Sequence, residues 1–247
     1  MRFSFFCCLF ATGLVIPGRS GGAEPDAEAL LAKAIQAHGG ETALAKHKAV
    51  RLKLRARYEG ATQFVYNHEW LFSAPNKYKD LGEGFALGRR VLTITATDGK
   101  DTWTHSSGQT QELEGKFAEG YKEQAHLMQV MRLVPLRGKE YQLSTVGETT
   151  VDGKKAFGLL VRTNGQKDIT LYFDAQSSLL VKVERKVIGS SETEVKEERF
   201  LRDYPKKEAI PYARKVVVKH AGKPVEYYEI REVKFLEKAD DREFRRR

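Results

Sequence analysis

Six histidines, His38, His47, His68, His105, His126 and His220, are the first residues to weigh for chemistry, since imidazole binds metals and moves protons near neutral pH. None pairs with another at helical ligand spacing, and the chain has no His-Glu-x-x-His. His68 and His105 could meet across neighbouring strands, although satisfied sheet histidines are the commoner outcome. Gly18-Arg19-Ser20-Gly21-Gly22 reproduces the Gly-x-Ser-x-Gly of hydrolases, but without the strand-turn-helix that exposes such a serine. The acidic run Glu192, Glu194, Glu197 and Glu198 is interleaved with Lys196 and Arg199, which reads as a solvated strand face rather than a carboxylate pair for acid/base work. Gly82, Gly84 and Gly88 lack the spacing and the following helix of a nucleotide loop. No catalytic residue, no metal and no cofactor is therefore expected.

The elements around these residues belong to a globular protein. The chain has 247 residues, 41% hydrophobic and 30% charged, with a formal charge of +9. That balance suits one large or two small domains and excludes wholesale disorder and collagen-like structure. Arg2 precedes an apolar stretch from Phe3 to Ile16, then Pro17, Gly18 and small residues up to Gly21-Gly22-Ala23. A basic start, an apolar segment of about 7–15 residues and a small-x-small site describe a secretory signal peptide, here residues 1–23 with cleavage near Ala23. The segment falls short of the ~20 apolar residues of a membrane span, and no later stretch reaches that length. The expected product, 24–247, is one soluble domain exported to the periplasm or an equivalent compartment. Cys7 and Cys8 lie mid-run behind Phe5-Phe6, away from the position of a lipid-anchor cysteine, so that product has no thiol. This excludes cysteine nucleophiles, thiolate metal sites and disulfides. Export also leaves the positive charge little nucleic acid to meet. A basic solvated surface, or attraction to anionic membrane headgroups, remains.

Helical spacing opens the domain: Asp26 can cap, Ala29, Leu30, Ala34 and Ile35 recur up to His38, and Gly39-Gly40 supplies a left-handed stop. After a short turn (Glu41 to Lys46) the period becomes two. Val50, Leu52, Leu54, Ala56 and Tyr58 alternate with a basic row of Arg51, Lys53, Arg55 and Arg57; Phe64, Tyr66, His68, Trp70 and Phe72 then line one side of the next strand. Strands continue to Leu236, punctuated by turn signals such as Asp98-Gly99, Asp152-Gly153 and Asn164-Gly165. One segment interrupts them. Phe117, Tyr121, Ala125, Met128 and Met131 fall at helical steps, ended by Pro135 and Gly138. The expected fold is α+β: a single antiparallel up-and-down sheet of about eleven strands, curled into a half-open β-barrel and covered by the N-terminal helix and the inserted amphipathic helix.

The order of parts resembles the periplasmic lipoprotein carriers of the LolA/LolB-like superfamily and their uncharacterised exported relatives. The resemblance rests on His38-Gly39-Gly40, Trp70, Pro75-Asn76, Asp98-Gly99-Lys100 and Trp103, with Gln109 or Gln111, and later on Leu171-Tyr172-Phe173-Asp174 and Leu179-Leu180-Val181-Lys182. It spans Ala27 to Phe244. It implies a half-barrel whose concave apolar face, under helices, accepts acyl chains. One position departs: where the carriers place a lid-latching Arg before Pro-Asn, this chain has Ala74.

Read together, the residues and the resemblance predict a non-enzymatic carrier or sensor of lipid or lipoprotein acyl chains, acting as a monomer without nucleic acid. The expected cavity lining is Leu52, Leu54, Phe64, Tyr66, Trp70, Phe72, Trp103, Phe117, Tyr121, Met128 and Met131. Aromatic area on one strand exceeds the needs of a small core, and unbranched, polarizable Met side chains repack around flexible chains. Two alternatives stand beside this. One is a solidly packed binding or scaffold module that meets a protein partner at the cell envelope through the basic strand face. The other is an exported hydrolase, for which no constellation speaks.

Overall fold

The computed structural model describes residues 26–59, 64–86, 88–189 and 192–246, without the side chains of Phe64 and Ala86. The expected leader 1–23 and the Gly-x-Ser-x-Gly at 18–22 lie outside the described residues. Helices α1 (Ala27–Ala37) and α2 (Glu41–Lys46) come first. Six strands follow, β1 (Ala49–Tyr58), β2 (Phe64–Ser73), β3 (Lys77–Ala86), β4 (Arg89–Thr97), β5 (Thr102–Ser106) and β6 (Gln109–Glu112). Helix α3 (Gly115–Val130) and a 3₁₀ turn (Val134–Arg137) then lead to seven more. These are β7 (Tyr141–Val151), β8 (Lys154–Thr163), β9 (Ile169–Asp174), β10 (Leu180–Ile188), β11 (Glu194–Arg202), β12 (Lys215–His220) and β13 (Lys223–Leu236), with a second 3₁₀ turn at Asp241–Phe244.

The thirteen strands form one antiparallel sheet in the order β6-β5-β4-β3-β2-β1-β13-β12-β11-β10-β9-β8-β7. Two meanders are joined where β1 pairs with β13, Leu52 opposite Val233 and Leu54 opposite Ile230. Strands β6 and β7 are the two edges, so the sheet is open, an α+β half-barrel. About eleven strands are expected from the sequence and thirteen are present among the described residues. Strand β6 carries no period-two signal because Gln109–Glu112 is polar throughout.

Alternation decides the faces. Leu52, Leu54 and Ala56 of β1 point inward, opposite Trp70, His68 and Tyr66 of β2. Inward rows from both meanders meet Leu30, Leu31 and Ile35 of α1 and Leu127 and Val130 of α3 in one core. On the convex side the turn Asp241–Phe244 acts as a strap. Phe244 is buried there with Ala49, Leu71 and Ala239, and Glu243 accepts from Lys79 Nζ (2.6 Å) and Arg51 Nη2 (3.1 Å).

Helix α1 starts where the Asp26 carboxylate accepts the Ala29 N–H at 2.7 Å, and stops at Gly39, whose φ of 109° suits glycine. A Cβ at Gly39 would also stand 2.4 Å from the Ala209 carbonyl oxygen, so the loop before β12 packs on this stop. His38 pins the helix end to the sheet. Its Nδ1–H donates to Ala34 O (2.8 Å) and its Nε2 accepts from Leu180 N–H (3.4 Å), which requires the neutral ring. Burial holds the His38 pKa below the ordinary 6.5, outweighing the hydrogen bond to Ala34. The unfolded chain therefore binds this proton first, and the contribution of His38 is complete above pH 6.5 and lost as pH falls below it. Thermal melts of the wild type and His38→Asn at pH 7.5 and 5.5 should show the gap between them narrowing in acid; an unchanged gap would refute this role.

Candidate functional site

Strands β10 to β13 change chemistry half-way along their inward faces. At one end Val183, Leu201, Val218 and Ile230 belong to the core. At the other end the same alternation brings in Arg185, Glu197, His220 and Glu226. The register places Arg185 opposite Glu197 and Glu197 opposite His220, so the three form one row across β10, β11 and β12. Helix α3 packs through Ala118 near its start and through Ala125, Leu127, Met128 and Val130 in its second half, whereas Phe117 beside Ala118 is 76% exposed. Between the first half of α3 and the polar half of the sheet lies a cleft of about 860 Å³. Its walls include Trp70, Tyr78, Tyr121, Val187, Ile188 and Tyr228. A second hollow of about 370 Å³ adjoins it through the shared residues Tyr58, Asp80 and Tyr121, and adds Tyr66, His68, Thr93 and Thr95.

The floor is an ionic cluster. Glu197 is 5% exposed, and its Oε1 accepts from Arg185 Nε (2.7 Å) and Arg199 Nε (2.8 Å). Burial alone would raise the Glu197 pKa; the Arg199 and Arg185 charges and their hydrogen bonds overturn that and hold it far below the carboxylate range. Glu226, which accepts from the Tyr228 hydroxyl, is pushed upward by burial despite the opposing Arg199 charge. The guanidiniums also reach the lid: Arg185 Nη1 donates to Glu123 O (3.1 Å), and Arg185 Nη2 and Arg199 Nη2 donate to Gln124 Oε1 (3.1 and 3.0 Å). Ala74 makes no such tie; its N–H donates to Lys48 O at 2.8 Å. In the adjoining hollow His68 Nδ1–H donates to Asp80 (2.8 Å) while Nε2 accepts from the Tyr58 hydroxyl (3.2 Å).

Several expectations need correcting. Glu197 and Arg199 are not on a solvated strand face; they share the inward face of β11 with Val195 and Leu201. That in-register apolar frame was the available signal for them. Trp103 does not line the concave face. With Thr102 and Thr104 turned inward, the indole lies on the convex side with Ile94 and Ala96, and its Nε1–H donates to Phe244 O (2.9 Å). His105 shares that outer face and bonds Thr110 (2.7 Å), so it does not meet His68.

The other expected lining residues divide. Trp70, Phe117 and Tyr121 stand around the large cleft and Tyr66 around the adjoining one. Leu52 and Leu54 are buried core. Phe72, Met128 and Met131 border a separate apolar pocket of about 60 Å³. The side chain of Phe64 lies outside the described part. The basic row of β1 is laced with acid: Arg51 pairs with Glu69 and Glu243, Lys53 with Glu232 (3.1 Å) and Arg57 with Glu59 (3.1 Å). Among the described residues no group of His, Cys, Asp or Glu is arranged to hold a metal ion, and no helix is long and apolar enough to cross a membrane.

No protein-family model and no curated protein matches the sequence. Solved structures do match. A LolA superfamily protein from Nitrosomonas europaea superposes with a TM-score of 0.58 at 13% identity, over 90% of this chain and 99% of its own. The chain has the LolA-type fold. A DUF1329 family protein from Desulfovibrio piger superposes with a TM-score of 0.57 at 11% identity, over 89% of this chain and 97% of its own. A Vibrio parahaemolyticus domain described as an outer membrane lipoprotein-sorting protein gives 0.56 at 11% identity, over 88% of this chain and 97% of its own. In this chain the sheet under helix α3 is the scaffold that holds the cleft described above.

Proposed function

We propose that this protein is an exported, non-enzymatic carrier or sensor of lipid or lipoprotein acyl chains, with residues 1–23 as its removed signal peptide and the cleft under α3 as its binding site. The observation that carries the proposal is the cleft of about 860 Å³ between the concave sheet face and the overhanging lid. Ligand sites commonly enclose about 300–1,000 Å³. A solved neighbour described as lipoprotein-sorting adds support. The open interior, and the acidic partners of Arg51, Lys53 and Arg57, argue against a solidly packed module that works through a basic face.

The Tyr58–His68–Asp80 chain fits binding better than catalysis. Burial, then the nearby Glu226 and Asp80 charges, push the Tyr58 phenol well up, so it keeps its proton and donates it as a hydrogen bond. Burying a dozen methylenes would contribute roughly 10 kcal/mol gross, at ~0.8 kcal/mol per CH₂. Release then requires the lid to open. Native mass spectrometry of the purified protein is expected to show co-purified lipid that organic extraction removes. A clean apo mass, with no thermal shift on adding lipids, would count decisively against the proposal.

A further inference from the structure

The cleft floor has two properties that an acyl chain does not use: it is polar, and charges of both signs lie side by side in it. Arg185 and Arg199 are answered by Glu197 at 2.7 and 2.8 Å, Glu226 stands in the same cleft, and Asp80 accepts the His68 Nδ1–H at 2.8 Å. A carboxylate or phosphate placed there meets Glu197, Glu226 and Asp80 as well as the arginines. A quaternary ammonium meets Arg185 and Arg199 as well as the acids. Either charged head meets like charge as well as opposite charge.

The unused hydrogen-bonding capacity is of both kinds. Among the described residues Gln124 Nε2 and Trp70 Nε1 are buried donors without an acceptor; both residues line the cleft, and Trp70 is 8% exposed. Glu226 and Asp80 retain carboxylate lone pairs beyond those that Tyr228 and His68 occupy. Aromatic faces stand beside them, Trp70 lying edge-to-face with Tyr228 at 5.1 Å and with Tyr78 at 6.2 Å. Hydroxyl groups both donate and accept, and a sugar ring adds C–H faces that pack on aromatic rings. Resting on the carrier reading above, we propose that the floor of the cleft recognises a neutral, hydroxyl-rich group, the sugar or polyol head of an amphiphile, in preference to a charged head.

Calorimetric titration of the purified protein tests this with probes that share a ten-carbon chain. Decyl maltoside, decanoate and decyltrimethylammonium are each used below the micelle threshold, with maltose alone as the chainless arm. Decyl maltoside is expected to bind at least tenfold tighter than either charged probe, and tighter than maltose. Glu226→Gln, which keeps the side-chain shape and removes one acid, should strengthen decanoate binding at least fivefold. Equal affinity for the three decyl probes would overturn head recognition and leave chain binding standing. Tightest binding of decanoate or decyltrimethylammonium would overturn it in favour of a charged head. Maltose binding as tightly as decyl maltoside would uphold the head while removing the acyl chain from the proposed function. If none of the four binds, both readings fall.

Discussion

Glu197→Gln is expected to destabilise the protein by about 3–5 kcal/mol, the usual consequence of removing one partner from a buried charge cluster. For a domain of this size that is a fall in melting temperature on the order of 10 °C. The amide has the shape of the carboxylate, so no cavity is opened. What changes is that Arg185 and Arg199, with side chains only 8% and 12% exposed, lose the charge that neutralises them. An exposed pair provides the contrast. Lys46–Glu237 has side chains 61% and 69% exposed, and Glu237→Gln should change stability by less than about 1 kcal/mol. The pH dependence has a definite sign. The folded carboxylate of Glu197 titrates below its ordinary 4.5, so its contribution is complete above that pH and fades as pH falls. The deficit of the variant should therefore shrink between pH 7 and pH 3.5 in urea melts. Because the same guanidiniums hold Glu123 and Gln124, amide exchange around these residues in α3 should quicken more than in α1. A deficit below about 1 kcal/mol, or one that does not vary with pH, would show that the cluster is not the anchor described here.

The fold was legible because its signals are local. Turn pairs such as Asp98-Gly99 and Asp152-Gly153 mark real hairpins, and strict alternation from Val50 to Tyr58 marks a real strand with one buried face. The inserted helix was legible through its spacing, although Phe117, which that spacing places with the core, is 76% exposed at the cleft. The floor of the site was not legible. Period two states which residues share a face, and Glu197 and Arg199 do share one with Val195 and Leu201. It does not state whether charges on that face meet water or each other. Their partners, Arg185 on β10 and Gln124 on α3, are brought in by strand register and helix placement that no local window contains. Trp103 failed for a related reason. The strap that makes its outer face a buried one ends in Phe244, 141 residues away.

Gly120→Trp is expected to abolish most ligand binding, at least tenfold in affinity, while leaving the fold as stable as before. Gly120 lies in α3 beside the large cleft, and a Cβ built on it meets no atom within 4 Å. Its backbone is that of an ordinary helical residue, so a Cβ is accommodated there without strain. Replacing a mid-helix glycine by alanine commonly gains about 0.5–1 kcal/mol, and Trp retains part of that gain through its lower backbone entropy. Gly120 lines the cleft one turn before Gln124, so the indole is expected to fill the space between α3 and the sheet, where Tyr78 and Tyr228 offer apolar contact and a ligand would otherwise lie. Gly120→Ala separates the two effects, since it gains helix stability and leaves the space open. Loaded fraction by native mass spectrometry, titration with a ten-carbon amphiphile and melting temperature, taken for both variants, give the comparison. Alanine should bind like the wild type and tryptophan should not, with neither melting lower. Undiminished binding in Gly120→Trp would move the ligand out of this cleft and toward the small apolar pocket beside Met128 and Met131, which the indole cannot reach from the opposite half of α3.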